Sequence, residues 1–261
     1  MPSTGHSAQD VHPRVDNRAI YDAQWTDWLD MKRYGPASRW LRSLIAGACR
    51  GLDPAPRTIL DVGCGEGSTT LMLAELHPSA KVKGVDFSST GIEVAQRHRV
   101  RSNLAFVHDV DNRALADGAD LVCCFEVLEH VDDWRTFLAK LARGSNRYLL
   151  LSFPTGRMRP FERNVGHLRN FARGEVEAEL SRLGFRSVAV SYAGFPFYSP
   201  LYRDFCQLTN AAGSEVTRGS YGATVKATGY ALYLLFRFAS TRRRFGDQFV
   251  GLFTAGGKGA R

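Results

Sequence analysis

A glycine-rich loop follows the first apolar run of the chain and is flanked by two carboxylates. It reads Asp-Val-Gly-Cys-Gly-Glu-Gly over residues 61–67. Glycines let a ligand approach the backbone closely, whereas Asp61 and Glu66 would repel a dinucleotide diphosphate in a partly dry site. No Gly-Lys-Ser/Thr sequence follows, which excludes a phosphate-binding P-loop. The loop therefore favours a ligand that carries positive charge, such as an amino group and a sulfonium.

Acidic residues also end the next two predicted strands. Asp86 ends the strand predicted over 82–86, where a carboxylate can accept from both hydroxyls of a ribose. Phe87 can lie against an adenine ring, and Asp109, after the strand predicted over 104–108, can accept from an adenine amino group. The ordered set predicts a site for a nucleoside with a cationic tail.

Ionisable groups cluster after the fourth predicted strand, in EVLEHVDD over residues 126–133. A helix there would place four polar side chains on one face, at i, i+3, i+4 and i+7: Glu126, Glu129, His130 and Asp133. Three roles stay open. His130 acts as a general base or contacts the acceptor; Glu126, Glu129 and His130 hold a divalent metal; or Glu129 only orders the loop.

A second histidine, His167, follows the fifth predicted strand in GHLRNF over residues 166–171. Histidine accepts a proton near pH 7, so His167 is a second candidate base. The alternative is that it braces the loop together with Arg169. A metal-free site is favoured, because no further ligand is evident outside the Glu-His stretch.

Composition limits the class of protein. The net charge is +8 and the pI about 9.4. These values permit nucleic acid, an anionic membrane or an acidic substrate as partner, although an ordinary basic surface is favoured. The five cysteines lack metal-type spacing, and Cys123 and Cys124 lie in an apolar run, which predicts buried free thiols and a reducing compartment, the cytoplasm. We expect neither a signal peptide nor a membrane span.

Strands and helices alternate along the chain. Short apolar runs such as RTILDV and RYLLLSF predict strands that are buried on both faces. The alternation predicts an α/β fold with a doubly wound, mostly parallel seven-stranded sheet, N-terminal helices and a helical insertion before the last strand. The predicted helices are 19–32, 36–50, 68–76, 89–98, 133–143 and 173–183, and the strands are 57–62, 82–86, 104–108, 119–125, 147–153, 185–192 and 247–255.

Five segments follow from this organisation. A disordered tail is predicted over 1–18, a helical lid over 19–50 and the cofactor-binding core over 51–194. An aromatic insertion over 195–246 forms a second lid, and the last strand and tail cover 247–261. Within the insertion, GYALYLLFRFASTRRRF joins an apolar run to a basic cluster. A core-facing helix is favoured there, and peripheral membrane contact is the alternative.

The glycine loop and the ordered acids resemble the class I S-adenosylmethionine-dependent methyltransferases over residues 57–192. The resemblance implies S-adenosylmethionine as the cofactor. It implies that Asp61, Gly63 and Gly65 line the methionine half, while Asp86 binds the ribose and Phe87 flanks the adenine. Further cofactor contacts are expected from Tyr21, Trp25, Asp109, Val110, Phe125 and Glu126.

The Glu-x-x-Glu-His and Gly-His-x-Arg-x-Phe stretches resemble small-molecule O-methyltransferases, including those of ubiquinone biosynthesis. The Asn/Asp-Pro-Pro-Tyr/Phe motif of base methyltransferases is absent, so no nucleic-acid partner is expected. We expect methyl transfer to a hydroxyl of a small molecule, with His130, His167 and Glu129 as catalytic residues. Methylation of nitrogen or carbon, and a non-catalytic scaffold, stay open. Lid aromatics suggest an apolar or aromatic acceptor, although core packing explains them equally.

Overall fold

The computed structural model describes residue 25 and residues 27–98, 100–208 and 219–256. The predicted tail over 1–18, the first part of the helix predicted over 19–32, and Tyr21 lie outside these residues. The helices are α1 (Leu29–Tyr34), α2 (Pro36–Cys49), α3 (Ser68–Leu76), α4 (Ser89–His98), α5 (Trp134–Gly144), α6 (Pro160–Asn164), α7 (Glu175–Arg182), α8 (Arg203–Leu208) and α9 (Ala223–Ala239). The strands are β1 (Thr58–Val62), β2 (Lys81–Asp86), β3 (Leu104–His108), β4 (Ala119–Phe125), β5 (Ser145–Pro154), β6 (Phe185–Ala193) and β7 (Gln248–Ala255).

The seven strands form one sheet in the order β3-β2-β1-β4-β5-β7-β6. The first five are mutually parallel, and β7 runs antiparallel to both β5 and β6. The doubly wound, mostly parallel sheet predicted from the sequence is confirmed. Its order reverses on either side of β1 and β4, which is where open α/β sheets bind ligands.

The central strands of the sheet are buried on both faces, which explains their unalternating apolar runs. Neighbouring residues such as Leu149 and Leu150 point to opposite faces and belong to two separate hydrophobic clusters. Helices α5 and α7 cover one face, and α2 and α3 cover the other. The predicted buried thiols Cys123 and Cys124 are unpaired and divide between these two clusters in the same way.

The described part of the segment between β6 and β7 contains several helices. It contains a π-helical turn over Phe197–Tyr202, followed by α8 and α9. Phe236 of α9 is buried against Trp40 of α2, with ring centroids 6.2 Å apart. The insertion is thereby fastened to the N-terminal helices. None of the described helices is long and apolar enough to cross a membrane.

Candidate functional site

A cavity of about 950 Å³ lies at the carboxyl ends of the central strands. The glycine loop and the ends of β2 and β4 form its floor. Both predicted lids border it as well: Trp25 and Lys32 do so from the N-terminal part, and Tyr198 and Tyr202 from the insertion. One cavity therefore connects the predicted cofactor residues Asp61 and Asp86 with the predicted catalytic residue His130, whereas Glu129 does not border it.

The glycine loop has no room for side chains. Gly63 and Gly65 have φ angles of 79° and 53°, a region that favours glycine. A Cβ on Gly63 would lie 2.3 Å from Val127, and one on Gly65 would lie 2.3 Å from the Trp25 ring. The Gly65 amide donates to the Asp86 carboxylate at 2.8 Å. The loop is thus clamped between the end of β2 and a lid tryptophan.

Asp61, at the end of β1, is buried and only partly satisfied. Its Oδ2 accepts from the Thr70 hydroxyl at 2.6 Å, while Oδ1 has no hydrogen-bond partner among the described residues. Burial raises the pKa of the Asp61 carboxyl to about 7. The side chain borders the cavity, so a ligand ammonium there would supply both the missing donor and the counter-charge.

Asp86, at the end of β2, is buried and borders the cavity together with Phe87. Its two oxygens accept from the amides of Gly65 and Ser88, each at 2.8 Å. A carboxylate oxygen can accept more than one hydrogen bond, so these two bonds are compatible with a ribose contact. The ribose contact itself stays a prediction, but the structure adds a second role for Asp86 in holding the loop.

Asp109, after β3, has a local role that its sequence position does not reveal. Its carboxylate accepts from the amides of Arg113 and Ala114 at 2.9 and 2.8 Å. Val110 and Asn112 border the cavity, whereas Asp109 does not. The predicted adenine contact of Asp109 stays a prediction, and Asn112 is a candidate that sequence reasoning missed.

The condition for a shared helix face, that the chain turns helical from Glu126 to Asp133, is not met. Glu126 adopts a φ of 56°, which breaks any helix at the end of β4. Only Leu128–His130 forms a single 3-10 turn. Asp133 is exposed and caps α5, accepting from the Thr136 amide at 3.1 Å. The four polar side chains therefore do not share a helix face, and Asp133 lies outside the cavity lining.

Glu126 and Phe125 border the cavity at the end of β4. The Glu126 Oε1 atom accepts from the Ser152 hydroxyl and the Gln248 amide, both at 2.8 Å. These two partners come from β5 and β7, so one carboxylate joins three strand ends. Burial raises the pKa of Glu126.

Glu129, His130 and His167 form a compact cluster. The Glu129 side chain is fully buried, and neither of its oxygens has a hydrogen-bond partner among the described residues. Its Oε1 lies 4.0 Å from Nε2 of His130, and the two imidazole centroids are 4.6 Å apart. One ligand atom from each of the three residues falls within 4.8 Å of the others.

The electrostatics of this cluster favour neutral imidazoles. Burial lowers the pKa of His130 to about 4 and that of His167 to about 3. Burial also raises the pKa of Glu129, and the nearby Glu126 carboxyl adds to that effect. Nδ1 of His130 donates to the Gly166 carbonyl at 2.9 Å, which makes Nε2 the acceptor atom of the ring. His130 can therefore receive a proton beside a buried carboxylate.

This arrangement corrects one sequence-based argument. The sequence alone favours a metal-free site, because it shows no metal ligand outside the Glu-His stretch. The structure supplies one, since Gly166 and His167 fold back against His130. Both the base and the metal roles therefore stay open on geometric grounds.

Comparison with known proteins identifies the family. Residues 60–145 match the family model described as a methyltransferase domain. A malonyl-[acyl-carrier protein] O-methyltransferase of Geobacter sulfurreducens is 31% identical over 201 residues, which cover 67% of this chain and 73% of that protein. The chain belongs to the class I S-adenosylmethionine-dependent methyltransferases.

Other relatives agree with this family at lower coverage. A ubiquinone biosynthesis O-methyltransferase of Brucella ovis is 42% identical over 157 residues, covering 53% of this chain and 60% of that protein. The methyltransferase spans about a third of some curated relatives, 36% of a Synechococcus protein and 32% of a Schizosaccharomyces pombe ubiquinone biosynthesis O-methyltransferase. The magnesium protoporphyrin IX methyltransferase of Synechocystis, solved with bound cofactor, shares the fold with a TM-score of 0.57 at 16% identity, covering 94% of this chain and 100% of that one.

The floor of this methyltransferase fits S-adenosylmethionine. That molecule carries an ammonium, a sulfonium, a ribose and an adenine. The unpartnered Oδ1 of buried Asp61 suits the ammonium, and the glycines leave the space that a Cβ would fill. Asp86 and Phe87 follow along the same cavity.

Sequence reasoning also missed a network of buried ion pairs, of which Arg203 and Glu162 border the cavity. Arg203 is 4% exposed and pairs with Glu162, and its Nη1 lies 3.8 Å from Asp247. Arg159, equally buried, bonds Asp204 at 2.6 Å. These pairs join α6, α8 and the start of β7. Sequence spacing gave no signal for them, because the partners are some forty positions apart.

Proposed function

We propose that this protein transfers the methyl group of S-adenosylmethionine to a hydroxyl oxygen of a small apolar or aromatic molecule. The observation that carries the proposal is the buried cluster of Glu129, His130 and His167. A buried carboxylate beside neutral imidazoles is suited to removing a proton from a hydroxyl. Free cysteines support a cytoplasmic location.

The cofactor supplies an activated methyl group, so the chain must mainly hold and orient the reactants. Asp61, Asp86 and the glycine loop bind the cofactor at the strand ends. Trp25 and Tyr198 border the other side of the cavity, where closure of the two lids over bound reactants would exclude water. The acceptor then lies between the cofactor and the Glu-His cluster.

A neutral hydroxyl must lose its proton as the new carbon–oxygen bond forms. Nε2 of His130 accepts this proton, because Nδ1 is already committed as donor to Gly166. As the sulfonium loses its charge, the imidazole gains one, and the Glu129 carboxylate at 4.0 Å stabilises it. Glu129 thus offsets the low proton affinity that burial imposes on His130.

The same three side chains also fit a divalent metal. Glu129, His130 and His167 would hold it through one carboxylate oxygen and two imidazole nitrogens. Such a donor set suits a borderline divalent ion. When bound, the ion would act as a Lewis acid that lowers the pKa of an acceptor hydroxyl. This role is the alternative to the general base within the same proposed reaction.

The test combines binding with product analysis. Calorimetry with S-adenosylhomocysteine measures cofactor binding, and isotope-labelled S-adenosylmethionine then reports transfer to phenols, catechols, amines and carbon acids. O-methylated phenol or catechol is the expected product. Exclusive methylation of nitrogen or carbon would refute the hydroxyl acceptor. Tight cofactor binding without transfer to any class would instead indicate a scaffold protein.

A further inference from the structure

Helix α9 is apolar on its outer face as well as on its inner one. Its inner face packs on Trp40 through Leu232 and Phe236. A surface helix normally places polar side chains on the side opposite its packed face. Here that side carries the exposed Thr224 and Thr228 and four exposed apolar residues, which are spaced i, i+4, i+8 and i+11: Ala227, Ala231, Leu235 and Phe238.

Further exposed apolar residues lie in the same insertion, outside this face of the helix. Phe238 is 74% exposed and Phe245, shortly after the helix, is 69% exposed. Leu201 and Phe205, in the earlier part of the same insertion, are also exposed. Scattered exposed hydrophobic residues are ordinary, but their concentration in one insertion indicates an interaction surface.

The charge of this segment has one sign. Residues 219–246 contain five basic residues and no acidic one. Lys226 pairs with Asp30 at 3.8 Å. In the part of the chain that the structure describes, no carboxylate pairs with Arg237 or with the exposed run Arg242–Arg244. The partner of this surface must therefore be negatively charged where the arginines lie and apolar where α9 lies.

The cavity opens beside this surface. Thr224, Val225 and Thr228 of α9 border the cavity and are at the same time exposed to solvent. Phe205, also exposed, borders it as well. An apolar molecule leaving the outer face of α9 would reach the cavity without crossing a charged surface of the helix.

We propose that α9 and Arg242–Arg244 dock this protein on an anionic lipid bilayer. A helix lying in the interface buries its apolar face near the acyl chains, while arginines contact the phosphates. If the protein transfers methyl groups as proposed above, its acceptor is a lipophilic molecule that enters the cavity from the membrane. A nucleic acid would satisfy the arginines but not Leu235 and Phe238, so the lipid surface accounts for both features.

Vesicle sedimentation of the full chain tests the docking without any acceptor. The probes are phosphatidylcholine vesicles with and without 30 mol% phosphatidylglycerol, at about 0.15 M salt. Preferential binding to the anionic vesicles is expected. R242Q/R243Q/R244Q should weaken it by about 100-fold, since each arginine near such a surface contributes about fivefold, or ~1 kcal/mol. L235E/F238E should remove binding.

Matched controls lie at the opposite end of the sheet. R57Q/R143Q/R147Q removes the same charge from exposed positions near the amino ends of the strands, and V100E places a glutamate at a residue that is 80% exposed. Both should bind vesicles like the parent protein.

Three outcomes would overturn the proposal: equal binding to both vesicle types, an equal loss in the R57Q/R143Q/R147Q control, or a dimer that L235E/F238E converts to monomer. Unchanged S-adenosylhomocysteine affinity in the docking variants separates failure of docking from failure of the proposed function.

Discussion

Replacement of Glu129 by glutamine should slow methyl transfer and stabilise the fold at the same time. The carboxylate is fully buried, and neither oxygen accepts a hydrogen bond from a described residue. Burying such a group destabilises the folded protein. Attraction between the carboxylate and the imidazolium offsets this cost only when His130 is protonated. Glutamine keeps the shape and removes the charge.

The magnitude of the rate effect follows from one distance. Glu129 Oε1 and His130 Nε2 are 4.0 Å apart. At that separation, two unit charges in a medium of effective dielectric constant 20 attract by about 4 kcal/mol. We therefore expect E129Q to lower kcat by up to about 10³-fold. Affinity for S-adenosylhomocysteine should not change.

The stability effect has a defined pH dependence. The pKa of Glu129 is raised in the folded state, so Glu129 lowers the free energy of unfolding wherever the unfolded chain ionises it more readily. This loss is absent below the ordinary glutamate pKa of about 4.3 and grows as pH rises towards the folded-state pKa. The gain of E129Q in free energy of unfolding should therefore increase with pH. Urea unfolding of both proteins at several pH values measures it.

Two results would refute this reasoning. A kcat within threefold of the parent would show that Glu129 does not stabilise a protonated His130. Loss of stability in E129Q would show that the carboxylate has a partner in the folded protein. If a chelator removes the activity of the parent enzyme and a divalent ion restores it, the Glu-His cluster holds a metal and His130 is not the general base.

The remaining predictions concern neighbouring groups. D61N should weaken S-adenosylmethionine binding by roughly 1.5–3 kcal/mol in calorimetry, because a charge-assisted hydrogen bond to the ammonium is lost; unchanged affinity would exclude that contact. G65A should abolish cofactor binding and lower the free energy of unfolding by about 1–3 kcal/mol, since its Cβ would lie 2.3 Å from Trp25 and its φ is 53°; a fully active G65A contradicts the clamped loop. The parent should lose stability as pH falls from about 6.5 towards 4, because burial depresses the folded-state pKa of His130 and His167 while the unfolded histidines gain protons. H130Q/H167Q should flatten that slope, and an unchanged slope would assign it to other groups.

The cofactor half of the site could be predicted from the sequence, because the position of each of its residues follows from the short segment of chain around it. Asp61, the glycines and Asp86 each sit at a strand end, and parallel strands bring their carboxyl ends to one edge of the sheet. Even there, hydrogen bonds were not visible from the sequence. The hydrogen bond from the Gly65 amide to Asp86 and the one from the Arg113 amide to Asp109 both depend on the conformation of a loop.

The acceptor half was predicted less well. The spacing of Glu126 and His130 would put both on one helix face only if the chain were helical there, and the left-handed φ of Glu126 prevents such a helix. The contact between His130 and His167 joins two loops, and no periodic pattern encodes it. Helix α9 was expected to face the core, whereas only one of its faces does so.

The attachment of the insertion has a consequence for how new specificities arise. The chain leaves the sheet at Ala193 and returns at Gln248, and these two residues are paired neighbours in β6 and β7. Because the exit and return points adjoin, the entropy of closing the segment grows only slowly with its length. The whole insertion can therefore be replaced by a segment of another length or sequence while the strand register between β6 and β7 is kept. Gln248 marks its boundary, because its side chain holds Glu126 and must be retained in any graft.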